Sequence, residues 1–189
     1  MAMNDPKFNW FLSLWFCSWH NSFMQLPDEN HTDKHLGGED KALIRNAIYR
    51  LLARREHSEY ELVQKLSAKG FAPAVVKTIA EEFTLQNLQS DFRYAESVLR
   101  GALSKGHGPQ RVSQQLKQNH IAEEVIAEVL TAVETDWYAL AFEVKTRKFG
   151  DLVESDWHKN RKQQRFLLGR GFTFEQINYA VTHIPESDA

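Results

Sequence analysis

Residues 65–71 read KLSAKGF, and about a hundred residues later residues 167–172 read LLGRGF. Between them, residues 116–121 read LKQNHI, the same apolar skeleton without the glycine. In the first copy, Leu66, Phe71, Val76, Ile79 and Phe83 are spaced by 5, 5, 3 and 4 residues. Adding 50 gives Leu116, Ile121, Ile126, Val129 and Val133, and a further 51 gives Leu167, Phe172, Ile177, Ala180 and Ile184. All fifteen positions are apolar. Five matched registers in three copies exceed what helical periodicity alone produces, so the chain is an internal repeat.

Each copy reads as two helices joined by a short turn. Leu62 and Leu66 lie on one face of the first, and Ser58 with Glu61 makes a capping box at its start. Gly70 and Gly171 suit a left-handed stop. His120 stands at the matching place in the middle copy, where Asn119 is expected to take the left-handed turn instead. Pro73 suits the first turn of the following helix. A further helix precedes each pair. Ile44, Ile48, Leu51 and Leu52 form one stripe at i, i+4, i+7 and i+8. Asp91 is expected to cap a helix carrying Ala95, Val98, Leu99 and Ala102, and Asp136 one carrying Trp137, Leu140, Ala141 and Val144. The next turn, GDLVESD at residues 150–156, is the longest and most acidic.

The expected fold is therefore all-α: three tandem three-helix repeats forming an elongated, curved array. The boundaries fall at 1–40 for a loosely ordered extension, 41–89, 90–135 and 136–184 for the repeats, and 185–189 for a tail. A three-helix unit buries its faces poorly alone, so stacking on neighbours is expected to supply much of the core. The competing reading is one globular bundle with accidental echoes.

Composition agrees. Of 189 residues 42% are apolar and 12% aromatic, enough for a core, while only 5 Pro and 9 Gly interrupt the helical pattern. The net charge of −2 argues against a protein living on phosphate attraction alone. It is uneven: residues 1–40 hold two Lys and six Asp or Glu, leaving 21 Lys/Arg against 19 Asp/Glu for the rest. The single Cys17 excludes an internal disulfide and a Cys-rich zinc site, and fits a reducing, cytoplasmic setting. The aromatic run at residues 7–24, KFNWFLSLWFCSWHNSFM, is too short and too interrupted to span a bilayer, and lacks the layout of a signal peptide. His31 and His35 share i, i+4 spacing but have no third ligand.

No phosphate loop, dinucleotide fingerprint or Cys/His metal spacing occurs, so neither a cofactor nor an enzymatic activity is expected. His57, His107, His120, His158 and His183 read as surface or turn residues. Glu81 and Glu82 diverge by about 100° on a helix and cannot act as a pair. What remains is basic charge. The candidate contact residues are Arg54, Arg55, Lys65, Arg93, Arg100, Arg111, Lys117, Lys145, Arg161, Lys162, Arg165 and Arg170. Arg161, Lys162 and Arg165 share a helix with few neutralising acids, a patch suited to phosphates or an acidic protein groove.

Three stretches carry a resemblance: RREHSEYELVQKLSAKGF (54–71), LQSDFRYAESVLRGALSKGHGPQRVSQQLKQNHI (88–121) and KQQRFLLGRGF (162–172). Together they resemble the RecX regulatory family over roughly Ala42 to Val181. The signature falls on Ser58, Glu61, Leu62, Lys65, Leu66, Gly70 and Phe71, then on Asp91, Ala95, Gly108, Pro109, Leu116 and Ile121. In the last copy it falls on Arg165, Leu167, Arg170, Gly171 and Phe172. Two places depart from the family: Ser90–Asp91, where paired acids are common, and His120, where a glycine is.

The resemblance implies three tandem three-helix repeats and a regulator of the RecA recombinase. Such a regulator binds the recombinase filament on single-stranded DNA, largely along its groove, and suppresses ATP hydrolysis and strand exchange. The chain is then expected to be a monomer without a membrane partner, acting in recombination and the DNA-damage response. Two other readings stand beside it: a helical protein acting mainly on single-stranded or duplex DNA directly, and a helical adaptor for another protein.

Overall fold

The structure, a computed structural model, describes residues 38–132 and 135–183. The aromatic run, Cys17, His31, His35, Val133 and Ile184 lie outside the described residues. Within them the chain forms nine α-helices and no strand. They are α1 (Gly38–Leu52), α2 (Glu59–Ser67), α3 (Pro73–Leu85), α4 (Asp91–Ser104), α5 (Pro109–Gln118), α6 (Glu123–Ala132), α7 (Trp137–Phe149), α8 (Trp157–Gly169) and α9 (Phe174–Thr182). Each successive triplet is one repeat.

The apolar register builds three separate cores. The first joins Ile44 and Ile48 of α1, Leu62 and Leu66 of α2, and Val76, Ile79, Ala80 and Phe83 of α3. The second is formed by Tyr94, Ala95, Leu99, Ala102, Val112, Leu116, Ile121, Ile126 and Val129. The third holds Ala141, Val144, Leu167, Phe172, Ile177, Ala180 and Val181. Close helix packing runs within each triplet. This corrects the expectation that stacking would supply much of the core: three short helices around one apolar seam already bury it. Trp137, at the start of α7, is an apolar side chain that crosses, packing against the second core.

The turns follow the sequence with instructive exceptions. Gly70 (φ 93°) and Gly171 (φ 85°) take the positive φ that stops α2 and α8. In the middle copy His120 itself takes it (φ 56°), whereas Asn119, expected to do so, has φ −97°. The His120 ring stacks on Tyr60 at 4.0 Å, an interaction glycine could not make. Asp136 caps α7 through Tyr138 N and Ala139 N as expected. For α4 the cap is Ser90, whose Oγ accepts from Arg93 N at 3.3 Å; Asp91 is the first helical residue. At Ser58 only half the predicted box forms, with Glu61 N donating to Ser58 Oγ. A reciprocal box closes instead at Thr173 and Gln176.

The repeats join through polar contacts. Between the first and second, Arg93 Nε donates to Glu56 at 3.1 Å, and Asp91 Oδ1 accepts from Glu59 N (3.0 Å) and Gln89 Nε2 (2.7 Å). Gln89 also donates to His57 O at 3.1 Å. Between the second and third, Gly108 N donates to Arg170 O (2.9 Å) and Gln110 N to Gly171 O (3.0 Å).

Candidate partner-binding face

Helix α8 presents the clearest surface. Its sequence, WHKNRKQQRFLLG, contains Lys159, Arg161, Lys162 and Arg165 and no acidic residue. Asp156 makes the helix start here, its Oδ1 accepting from His158 N (2.8 Å) and Lys159 N (3.2 Å). Gln163 and Leu167 turn inward and anchor the helix to its repeat. The outward face then carries Trp157, Arg161, Arg165 and Leu168, spaced 4, 4 and 3 residues apart and so aligned along one side. Trp157 is 65% exposed, and the Arg161 guanidinium lies 5.4 Å from its ring centre. Lys162 is exposed beside this row. Among the described residues, Arg161, Lys162 and Arg165 form no ion pair, while Lys159 lies 3.6 Å from Glu154. Cations in the first half of a helix oppose its dipole, so local stability does not explain Arg161. The arrangement fits an anionic partner with a flat apolar or aromatic component.

The other candidates divide by what they touch. Arg54 and Arg100 are exposed and form no ion pair among the described residues. Arg55 holds Glu61 through two hydrogen bonds of 2.9 and 2.6 Å, and Lys65 lies 3.3 Å from the same carboxylate. Lys117 pairs with Glu123 at 2.8 Å. Arg93 bonds Glu56, Asn87 and the carbonyl of Leu88, so it holds the first joint rather than facing solvent freely. Arg111 Nη1 donates to Gly169 O at 3.2 Å, and Arg170 Nη1 to Lys105 O at 2.5 Å, so both span the second joint.

Lys145 must be withdrawn from the contact set. It is fully buried, with Nζ donating at 3.0 Å to Asp151 O and to Leu152 O. Burial pushes its pKa below the ordinary lysine value. Its ammonium pins the long turn between α7 and α8, which is a structural task.

His57 also departs from its surface reading: it is 2% exposed. Its Nδ1 lies 2.9 Å from Arg55 O, which fixes that nitrogen as the donor and leaves Nε2 to accept from Lys65 Nζ at 3.0 Å. Burial pushes the imidazole pKa down, and the nearby Arg55 and Lys65 charges push the same way. Trp157 is the site residue that the search by charge missed; its place four residues before Arg161 was the available signal.

Among the described residues no group of three His, Cys, Asp or Glu side chains is placed to hold a metal, and no helix is long and apolar enough to cross a membrane.

The family models for the first, second and third three-helix domains of RecX match residues 45–83, 90–130 and 134–181. A regulatory protein RecX from Halorhodospira halophila is 40% identical over 151 residues, covering 80% of this chain and 94% of the relative. One from Vibrio cholerae is 44% identical over 149 residues, covering 79% and 97%. A crystal structure of a regulatory protein RecX superposes with a TM-score of 0.66 at 22% identity, covering 76% of this chain and 73% of that one. The RecX structure from Lactobacillus salivarius gives 0.64 at 20% identity, covering 76% and 95%.

Proposed function

The chain belongs to the RecX family of regulatory proteins, and on that premise we propose that it regulates a RecA-type recombinase. It binds the recombinase filament on single-stranded DNA and lowers ATP hydrolysis and strand exchange by occupying surface, with no chemistry of its own. The observation that carries this reading is the acid-free outer face of α8. An exposed Trp157 beside three cations with no ion pair among the described residues is poorly explained by folding and well suited to a partner carrying negative charge. Arg54 and Arg100, exposed on the first and second repeats, extend the same logic along the array.

The test adds substoichiometric protein to recombinase filaments on single-stranded DNA and follows ATP hydrolysis. The wild-type chain is expected to slow it. The Arg161→Glu, Arg165→Glu double variant is expected to lose most of this effect with helix content and melting nearly intact, since neither side chain makes an ion pair or hydrogen bond among the described residues. An unaffected ATPase with wild-type protein would sink the reading.

A second reading is favoured by the Trp157–Arg161 pair, since aromatic and guanidinium groups together suit unstacked bases. On it the main target is DNA itself. Binding to bare DNA that falls steeply with salt, with no change in recombinase ATPase, would select it.

A further inference from the structure

The two joints between repeats differ in how their charges are paired. At the first, the cations meet carboxylates: Arg93 meets Glu56, and Arg55 and Lys65 share Glu61. At the second, Lys105, Arg111, Lys148 and Arg170 gather with no ion pair among the described residues. The guanidinium groups are held by neutral carbonyls only: Arg111 by Gly169 O (3.2 Å), Arg170 by Lys105 O (2.5 Å) and, at 3.5 Å, Gly106 O. Lys148 Nζ lies 3.9 Å from the centre of the Phe166 ring, and the Arg170 guanidinium 5.0 Å from the same centre. His107 sits in the same field: burial first, then Arg111, Arg170 and Lys105, hold its pKa below the ordinary imidazole value.

Four like charges kept together need an explanation. A guanidinium has five N–H donors in a rigid fork, and each of these arginines commits one Nη to the joint. The clasp thus fixes both side chains in place and leaves donors on each for an anion. Fixed forks of this kind suit the tetrahedral oxygens of phosphate, and the exposed lysines Lys105 and Lys148 suit it as point charges.

We infer that the joint between the second and third repeats is a binding site for the phosphate groups of single-stranded nucleic acid, and that occupancy stiffens the joint. A strand is preferred to an acidic peptide because the fixed guanidinium forks match phosphate oxygens, and the Phe166 ring lies among the cations. A coupling to stiffness follows from shared side chains. The same Arg111 and Arg170 that would meet phosphate also tie the second repeat to the third, beside the Gly108 N and Gln110 N bonds. Neutralising their charge removes the repulsion that works against the clasp. The site does not depend on the recombinase: a chain that left a filament's ATPase untouched would still bind a strand here.

The test uses the full chain with a labelled oligothymidylate, measured by anisotropy across a salt series, and hydrogen exchange at Gly108 and Gln110. Lys105→Gln with Lys148→Gln is the variant of choice, because neither ammonium makes a hydrogen bond or ion pair among the described residues. The wild-type chain should bind with a salt slope about 1.4 units steeper than the double variant, two contacts at about 0.7 each. Oligothymidylate should slow exchange at both amides in the wild type, and polyglutamate of equal charge should not. An unchanged slope in the variant, or an equal response to polyglutamate, overturns the proposal.

Discussion

His57 shows how a single side chain ties local chemistry to stability. Its Nδ1–H is committed to Arg55 O and its Nε2 faces the Lys65 ammonium, so a second proton would place two positive groups 3.0 Å apart. Of the groups facing the ring, the Arg55 carbonyl and Glu61 favour protonation, while the Arg55 and Lys65 charges oppose it. Burial is the largest influence, and the folded pKa lies below the ordinary 6.5. The unfolded chain therefore binds this proton at pH values where the folded chain does not. Stability rises with pH across that interval and falls on acidification from about 6.5 downward. Melting midpoints measured between about pH 7.5 and 5.5 should fall for the wild type. His57→Asn keeps an N–H for Arg55 O and cannot titrate, so its midpoint should fall less. Depressed His107 contributes to both curves, so the difference reports His57 alone. Parallel curves would mean that the buried ring is not the cause.

Among the helices and turns, glycine does two different jobs. Gly70 stops α2 at φ 93°, and an added Cβ there would meet open space. Gly108 has an ordinary φ of −82°, yet an added Cβ would lie 2.4 Å from Gly171 O and 2.6 Å from Phe172 N. Gly70→Ala should cost only the positive φ, about 1–2 kcal/mol, and leave the second joint unchanged. Gly108→Ala should cost about 1–3 kcal/mol by forcing two backbones apart, with faster hydrogen exchange at Gly108 and Gln110. Urea melts and exchange on both variants separate the two; fast exchange at the joint in Gly70→Ala would contradict this division.

The stop at Gly70 was legible because a left-handed turn restricts residue type, whereas the close approach at Gly108 depends on a backbone 63 residues away and leaves no local mark. The same distance rule explains the site. The α8 cations could be recognised because the helix itself carries no acid. Arg93, Arg111 and Arg170 looked equally free, but their partners lie 37, 58 and 65 residues away. Lys145 looked like any other lysine, since nothing local says that two carbonyls of a later turn will cover it.

For the molecule, the consequence of three cores is that damage should stay local. The period was readable because each repeat carries apolar residues at the same five positions, but the sequence pattern is the same whether those side chains face their own repeat or the next. The structure places Phe172 in the third core with Leu167, Ile177 and Ala180, fully buried. Phe172→Ala removes a large side chain from a small core and should cost about 3–5 kcal/mol. Repeat arrays sum intrinsic stability and nearest-neighbour terms, so that loss should fall mainly on the third repeat. Hydrogen exchange should therefore quicken across α7–α9 while α1–α3 keep their protection. Helices α4–α6 should show an intermediate effect, because Trp137 packs its α7 side chain against their core and the Gly108 and Gln110 bonds join them to the α8 turn. If protection were instead lost uniformly from α1 to α9, the polar joints would be strong enough to couple the three cores into one cooperative unit, and the nearest-neighbour description would fail.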